Sequence, residues 1–503
     1  MDSKPSLESY FSVFRQHIIG VEQQIPTPYH KNIPLVYADW TASGRNYDPI
    51  EQALKDLIMP WIANTHTDTN HTGMSTTYAY HKAQSIIKDH VGAHATDVLI
   101  ASGSGMTGVI NKFQRILGMK IHESFRDQIH IDEVDRPVVF VTHMEHHSNQ
   151  TSWLETTADV VVVPPDTEGL VDLDTFEKTV KKYSHRKRKI AAVTSCSNVT
   201  GIMTPYEKIA QIMHRHGGAC FVDFACSGPY VDINMHPGPE GADLDAIYFS
   251  PHKFLGGPGS SGLLLFNKNL YHNSIPDHPG GGTVDWTNPW GEHKYVDDIE
   301  AREDGGTPAF LQTIKAAMCM QLKDQMGVDN ILQREKEQLD ILWAGLSDLP
   351  NLHILAEQHR HRLGVISFYI DELHYLLGVK LLNDKFGIQT RGGCSCAGTY
   401  GHFLLEVDPL TSHDITDLIS SGNCSSKPGW IRMSIHPTLS NREIHYIVDS
   451  IRTLCKHHLE WVEDYDIDWS SNRIKPKNNE DEEIMKERIE RAMTQPFLFH
   501  EPS

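Results

Sequence analysis

The sequence has no long apolar run and carries fewer basic than acidic residues. None of its 503 residues begins a run of about 18 consecutive apolar residues, the minimum for a membrane span. The opening Met-Asp-Ser-Lys-Pro-Ser-Leu-Glu lacks the basic-then-apolar layout of a secretory signal. The formal net charge of −20 repels nucleic-acid backbones and anionic lipids. We therefore expect a cytoplasmic protein that binds neither nucleic acid nor membranes.

Cysteine is also scarce. Eight cysteines in a chain of this length are too few and too irregularly spaced for a disulfide framework, so they are predicted to be thiols. Neither His-Glu-x-x-His nor Cys-x-x-Cys occurs among them and the 31 histidines, so no metal site is predicted. The cysteines are Cys196, Cys220, Cys226, Cys319, Cys394, Cys396, Cys424 and Cys455.

Seven short apolar runs between residues 97 and 266 indicate the fold class. Runs that are continuously apolar are typical of strands covered by helices on both faces, and they predict an α/β fold with a mostly parallel seven-stranded sheet. The last two runs are joined only by a Gly- and Pro-rich stretch too short for a crossover helix, so they should not be parallel neighbours. The runs are 98–101, 138–141, 160–163, 190–193, 220–222, 246–249 and 263–266.

Beyond about Thr313 the pattern changes to a long helical stretch over 314–341, followed by strand-like runs at 365–370 and 430–435. We predict an N-terminal helical segment, a large α/β domain, a smaller C-terminal α+β domain with a linking helix, and a polar tail with a helix over 480–493. The basic run 181–189 fits either a nuclear-targeting patch or an exposed helix end beside a strand, and we favour the helix end. The predicted boundaries are 1–36, 37–311, 312–465 and 466–503.

Two segments carry candidate chemistry. Gly103-Ser-Gly-Met-Thr-Gly108 spells G-x-G-x-x-G after a predicted strand, but the acidic residue that a nicotinamide site needs about 20 residues further on is missing. The turn can still bind a phosphate through free backbone N–H groups. Lys253 follows a buried strand, where desolvation lowers its pKa and makes it a nucleophilic amine, although most lone lysines are solvated. Asp223 ends a strand about 30 residues earlier and suits the ring nitrogen of a pyridoxal cofactor.

From about Tyr37 to Ile435 these residues resemble the class V aminotransferase family of pyridoxal-phosphate enzymes, and within it the cysteine desulfurases. The resemblance implies fold type I, pyridoxal 5'-phosphate as cofactor, an amino-acid substrate and a homodimer. Tyr37-Ala-Asp-Trp-Thr-Ala-Ser is similar to the family's opening strand and turn at the substrate pocket.

Position within the family motifs implies a role for each candidate residue. The phosphate-binding helix start falls on Gly103, Ser104 and Gly105, the ring-stacking histidine on His146, the residue beside the phenolic oxygen and substrate on Asn198, the ring-nitrogen carboxylate on Asp223, the phosphate and lysine neighbours on Ser250 and His252, the Schiff-base lysine on Lys253, the contact to the partner's phosphate on Thr307, and the substrate-carboxylate clamp on Arg432. Cys226 stands where the family often has Gln or His near the phenolic oxygen, and a thiol is a poorer hydrogen-bond donor.

The subfamily depends on the segment that begins Arg391-Gly-Gly-Cys394-Ser-Cys396. In the desulfurases a catalytic cysteine follows an arginine by a few residues, so Cys396 is the predicted nucleophile. Arg391 is the predicted source of its positive field and a predicted substrate-binding residue. Cys394 could relay a persulfide, bind a metal or be an inert packed thiol. The predicted reaction converts L-cysteine to L-alanine with the sulfur held on Cys396, for a sulfur-acceptor protein to receive.

Three alternatives remain open at this stage. A class V aminotransferase or carbon–sulfur lyase would use Lys253, Asp223 and Arg432 without Cys396. A nicotinamide-dependent oxidoreductase would use the Gly103 loop, and a non-catalytic scaffold would keep only the fold.

Overall fold

The computed structural model describes residues 5–65, 67, 69–422, 425, 427–471, 473–477 and 481–494. Cys424 and Glu480 lie outside these residues. The helices, in chain order, are α1 (Leu7–Arg15), α2 (Asp48–Ala53), α3 (His71–His90), α4 (Met106–Ile116), α5 (His147–Leu154), α6 (Leu173–Lys182), α7 (Tyr206–Arg215), α8 (Ile299–Glu303), α9 (Phe310–Met326), α10 (Val328–Leu346), α11 (Tyr375–Phe386), α12 (Gly398–Leu404), α13 (Pro409–Ser420), α14 (Asn441–Trp461) and α15 (Asp481–Thr494).

The strands form one large sheet, one four-stranded sheet and several two-stranded ribbons. In chain order they are β1 (Gln24–Thr27), β2 (His30–Pro34), β3 (Val36–Tyr37), β4 (Asp97–Ser102), β5 (Val138–Thr142), β6 (Asp159–Val163), β7 (Lys189–Thr194), β8 (Ala219–Asp223), β9 (Ala246–Phe249), β10 (Gly262–Asn267), β11 (Val284–Thr287), β12 (His293–Tyr295), β13 (Leu352–Ile354), β14 (Val365–Ile370), β15 (Ile388–Gln389), β16 (Arg391–Gly393), β17 (Trp430–Ser434), β18 (Tyr465–Asp468) and β19 (Arg473–Pro476).

All seven predicted strands lie in the large sheet, whose order is β4-β10-β9-β8-β7-β5-β6. Neighbours from β9 to β6 pair in parallel, and β10 pairs antiparallel with both β9 and β4. The sheet is buried on both faces, since Phe140 packs into one core cluster and Val139 into another. The α/β fold, and the prediction that the last two runs are not parallel neighbours, are confirmed.

The four-stranded antiparallel sheet β13-β14-β17-β16 lies in the C-terminal half, where α10, α11 and α14 supply much of its apolar cluster. The long helical pattern is divided into α9 and α10 at Gly327, whose φ of +75° is a left-handed conformation that suits glycine. β3 pairs in parallel with β15, which ties the N-terminal segment to this half. The domain boundaries stay predictions.

The chain termini are less helical than the sequence predicts. Within residues 1–36 the described part contains α1 followed by the β1–β2 hairpin, and a second hairpin, β18–β19, precedes α15. The basic run ends α6 and begins β7, with Arg186 and Lys189 buried, which agrees with the favoured helix-end interpretation. Along the described ranges, no helix has the length and apolarity to cross a bilayer.

The glycine loop does not belong to a dinucleotide-binding unit. β4, which precedes the loop, is an edge strand that pairs only with the antiparallel β10 within this sheet. A nicotinamide site of the βαβ type needs a parallel strand beside the one that leads into the loop. The topology therefore argues against the oxidoreductase alternative.

Candidate active site

A cavity of about 510 Å³ opens at the carboxyl ends of the parallel strands. Every site residue predicted from the sequence lines it, with the exception of Thr307. Such an edge is where open α/β sheets bind ligands, because loops from several strands converge there. The predicted residues in the lining are Gly103, Ser104, Gly105, His146, Asn198, Asp223, Cys226, Ser250, His252, Lys253, Arg391, Cys396 and Arg432.

One end of the cavity is suited to a phosphate. The first turn of α4 follows Gly105, which provides no side-chain cap, and the Met106 N–H donates to Ser250 Oγ at 2.8 Å. A Cβ atom on Gly105 would stand 3.3 Å from that oxygen and 3.6 Å from His252 Nε2. Since glycine leaves this space open, the helix N-terminus, Ser250 and His252 can surround one small anion.

The centre of the cavity combines an amine with a buried carboxylate. Lys253 ends a short 3₁₀ turn directly after β9, and burial lowers its pKa, an effect that nearby Cys226 and Asp223 oppose. Asp223, the last residue of β8, is buried, and this raises its pKa to about 6 although the Ala225 N–H donates to it at 2.8 Å. A buried carboxylate of this kind favours a positively charged partner, such as a protonated ring nitrogen.

His146 lies at the N-cap of α5, where its Nδ1 accepts from the Ser148 N–H at 3.1 Å. Burial, with a smaller effect from Lys253, lowers its pKa to about 3. The ring is therefore neutral at physiological pH and can contact a flat ligand without adding charge. Next to it, burial raises the pKa of Glu145 to about 7, and Glu145 accepts hydrogen bonds from Thr142, Asn149 and the Thr194 N–H.

Two thiols lie together in the cavity wall. Cys196 and Cys226 both donate to the carbonyl oxygen of Ser197, at 3.6 Å and 3.7 Å. The interaction with the adjacent Cys196 thiol, followed in effect by Lys253 and Arg432, lowers the pKa of Cys226 against the opposing effect of burial. Cys226, which stands where the family often has Gln or His, therefore has a polarised sulfur.

Two arginines also line the cavity. Arg432 on β17 donates from Nη1 to the Asn198 carbonyl oxygen at 3.3 Å and from Nη2 to Asp39 Oδ1 at 2.9 Å. Arg391 on β16 donates from Nε to Asp39 Oδ2 at 3.0 Å. Within the described part of the chain, Arg432 Nε and Asn198 Oδ1 are buried without a hydrogen-bond partner. These two atoms are available to a polar ligand.

The predicted nucleophile is on a strained loop at the cavity mouth. Cys396 is exposed, and it follows Ser395 with φ values of +57° and +52°, a left-handed conformation that non-glycine residues rarely adopt. His147 secures the loop, because its backbone N–H donates to the Cys396 carbonyl at 2.7 Å and its Nε2 accepts from the Gly398 N–H at 2.9 Å. Asn198 Nδ2 also donates to the Ser395 carbonyl at 2.7 Å.

Thr307 is exposed in the segment between α8 and α9 and does not line the cavity of its own chain. The end of α8, which precedes this segment, is held against α4, because Lys112 Nζ lies 2.8 Å from Glu303 Oε2. Cys394 is partly buried and packs against an apolar cluster that includes Tyr400 and Trp430.

Sequence reasoning missed two residues that the structure makes important. Asp39 stands in the opening motif without a predicted role of its own, and no role is predicted for His147. A single sequence gives no signal for either role, since each depends on contacts with residues far away in the chain, 251 positions for His147 and 393 for Asp39.

Comparisons with known proteins agree with this geometry. A family model described as aminotransferase class V matches residues 36–447. The chain is 28% identical over 372 residues to a probable cysteine desulfurase of Halalkalibacterium halodurans, covering 72% of this chain and 84% of the relative. A probable cysteine desulfurase of Staphylococcus epidermidis is 28% identical over 370 residues, covering 73% and 84%.

Solved structures show the same fold. The apo structure of a cysteine desulfurase from Thermococcus onnurineus matches with a TM-score of 0.69 at 21% identity, over 88% of this chain and 98% of the other. The cysteine desulfurase CsdA from Escherichia coli, in an S-sulfonic acid form, matches with a TM-score of 0.66 at 18% identity, over 89% and 98%.

Proposed function

Because the chain belongs to the class V aminotransferase family, we propose that it is a pyridoxal-phosphate-dependent cysteine desulfurase. In this reaction L-cysteine becomes L-alanine and its sulfur becomes a persulfide on Cys396. The observation that carries the proposal is that Lys253, Asp223, Arg432 and Cys396, which come from distant parts of the chain, line one cavity. The names of the curated relatives support the same reaction.

The residues of the cavity fit pyridoxal phosphate. The phosphate would be held by the N-terminus of α4 together with Ser250 and His252, where Gly105 leaves room for it. The Lys253 amine would hold the aldehyde carbon covalently, and Asp223 would pair with the ring nitrogen. When bound, the cofactor would supply an electron sink for the negative charge that develops at the substrate Cα.

The proton transfers are assigned to Lys253. Desolvation lowers the pKa of its ammonium, so a larger fraction is present as the free amine that can take the Cα proton and later return it. Asp223 would favour a protonated ring nitrogen, since a buried carboxylate with a pKa of about 6 is ionised at neutral pH and is stabilised by a cation beside it. Arg432 would orient the substrate carboxylate through donors that include its unpartnered Nε.

Sulfur transfer is assigned to Cys396. Its thiolate would attack the substrate sulfur, forming an S–S bond while the Cβ–S bond breaks. The electron pair of the broken bond stays with the substrate carbon, which is then protonated, and alanine is released. Arg391, which also lines the cavity, would help to bind the substrate.

The test is the release of alanine from L-cysteine by the cofactor-loaded protein with a reductant present. We expect Lys253→Ala and Cys396→Ser to lose this activity and Cys394→Ser, the matched control two residues away, to keep it because Cys394 packs against apolar side chains. Alanine formation that persists in Cys396→Ser, or keto acid and ammonia as products, would instead support the aminotransferase or carbon–sulfur lyase alternative. Cofactor that binds without any turnover would support the scaffold.

The proposed function carries three further assignments. A homodimer would bring Thr307 to the phosphate end of the partner's cavity. A sulfur-acceptor protein would receive the persulfide from the exposed Cys396. A cytosolic location would keep that nucleophile reduced.

A further inference from the structure

Two arginines of the cavity are placed side by side by the small sheet. Arg391 on β16 is the direct antiparallel partner of Arg432 on β17, so both side chains leave the same face of the sheet about 5 Å apart. Like charges in such a pair repel each other. Because the two residues are far apart in the sequence, their proximity is evident only from the fold.

Asp39 joins the two guanidinium groups. One carboxylate oxygen accepts from Arg432 at 2.9 Å and the other from Arg391 at 3.0 Å. Its backbone is fixed in place, because Asp39 forms a bridge with Ser434 at the end of β17 and the Tyr37 hydroxyl donates to its carbonyl at 3.2 Å. The carboxylate is nearly buried, with 11% of the side chain exposed, so water screens it little.

The three charges sum to one net positive charge. A net charge of +1 complements one carboxylate, and every α-amino acid carries one such group at its Cα. Arg391 stands five residues before Cys396, and both residues line the cavity. An anionic side chain there would find an arginine already neutralised, and the Asp39 carboxylate close by.

We propose that Asp39 is a specificity-determining residue that pairs with Arg391 and Arg432 and so selects amino acids with an uncharged side chain over those with an anionic one. This inference rests on the proposed function, in which Arg432 receives the substrate carboxylate. Asp39→Asn would keep the shape and one acceptor oxygen while raising the net charge of the cluster from +1 to +2. A unit charge a few ångströms away in a partly buried site changes anion affinity by about tenfold or more.

The test compares two amino acids of equal size, L-asparagine and L-aspartate, by calorimetric titration of the cofactor-loaded protein. In Asp39→Asn we expect the ratio of the aspartate to the asparagine dissociation constant to fall by about tenfold or more. Asp159→Asn is the matched control, since Asp159 also bridges two arginines, Arg186 at 2.6 Å and Arg136 at 3.6 Å, but does not line the cavity. Its ratio should equal that of the wild type.

Arg391→Gln gives a second test that does not require the Asp39 variant to fold, because Arg391 is exposed. Alone it should raise the ratio, and combined with Asp39→Asn it should cancel the fall. An unchanged ratio in folded Asp39→Asn, or in Arg391→Gln, would overturn the inference. These are binding measurements, so a failure of the desulfurase proposal, seen as no alanine from L-cysteine, is recognised separately.

Discussion

Asp223, which the proposed function pairs with the cofactor's ring nitrogen, shows how a single buried side chain can reduce the stability of the fold. Burial raises its pKa to about 6, above the usual 3.8, so the folded chain holds the proton more tightly than the unfolded chain does. By linkage, the folded state is favoured at pH values below 3.8 and loses that advantage as the pH rises towards 6. Above pH 6 the full cost of burying the ionised carboxylate is present.

We therefore predict that Asp223→Asn stabilises the cofactor-free protein by on the order of 2–3 kcal/mol at pH 7.5 and by much less at pH 4.5. The amide oxygen can still accept from the Ala225 N–H, so the fold should be kept. Urea unfolding at the two pH values measures the difference. In the cofactor-loaded protein the same variant should lose affinity for the cofactor, and an equal effect on stability at both pH values would contradict this account.

At the scale of single residues, the sequence identified the residues that carry distinctive chemistry in distinctive motifs. Asp223 ends a buried strand and Lys253 follows another, which is enough to place both at one edge of a parallel sheet. Asp39 could not be found in this way, because its role depends on a pairing between β16 and β17 that brings two arginines together. A motif shows which residue types are present, whereas predicting an ion pair between distant residues requires knowledge of the fold.

At the scale of elements, the loop that carries Cys396 depends on a histidine of another element. Two successive left-handed residues, Ser395 and Cys396, cost about 1 kcal/mol or more each, so contacts from outside the loop must hold them. His147, the first residue of α5, provides two of these contacts. Burial lowers the pKa of its ring, which keeps Nε2 able to accept from the Gly398 N–H at neutral pH.

We expect His147→Ala to slow persulfide formation three- to tenfold, the cost of leaving one N–H of a partly buried loop without its acceptor. The affinity for L-cysteine should change little, because the residue donates nothing to Arg432 or Asn198. Single-turnover kinetics at saturating L-cysteine measure the first quantity and the concentration dependence measures the second. His402→Ala is the control, since that exposed ring bonds to the Gly398 carbonyl and Ser412. An unchanged rate of persulfide formation in His147→Ala would show that His147 does not position the Cys396 loop for the reaction.

The element scale also shows what periodicity can and cannot predict. Continuous apolar runs predicted all seven strands of the large sheet, since burial on both faces leaves a strong signal. The division of the helical stretch at Gly327 was missed, because a single left-handed residue hardly disturbs an apolar pattern. The hairpins β1–β2 and β18–β19 were missed because their residues are mostly exposed and polar.

At the scale of the whole molecule, a broad apolar surface lies away from the cavity. It is formed by residues 57–61 and the exposed face of α3, where Leu57, Trp61 and Tyr78 have 68%, 57% and 73% of their surface exposed. These side chains border a groove of about 510 Å³ that also reaches α9. Exposed apolar patches of this size are typical of interfaces, and the proposed homodimer supplies a second copy to cover this one.

The dimer proposal predicts that cofactor binding depends on self-association. Leu57→Lys combined with Tyr78→Lys should give a monomer in sedimentation experiments, since each lysine would have to be buried unpaired in the interface. Because Thr307 lies outside the cavity of its own chain, the monomer should also bind the cofactor more weakly. Thr307→Ala separates the two effects, because it should leave the dimer intact and still lower cofactor affinity by about tenfold, the loss expected for one hydrogen bond to a charged phosphate.

Thr287→Ala is the matched control for that experiment, since Thr287 is also exposed but lies on the hairpin strand β11. A dimer in which Thr307→Ala binds the cofactor as tightly as the wild type would show that the partner does not complete the phosphate site. A monomeric wild type that binds the cofactor fully would contradict the dimer proposal as a whole, because the apolar surface would then bind a different partner. Sedimentation and cofactor titration on the same four proteins therefore decide whether one chain or two make up the active unit.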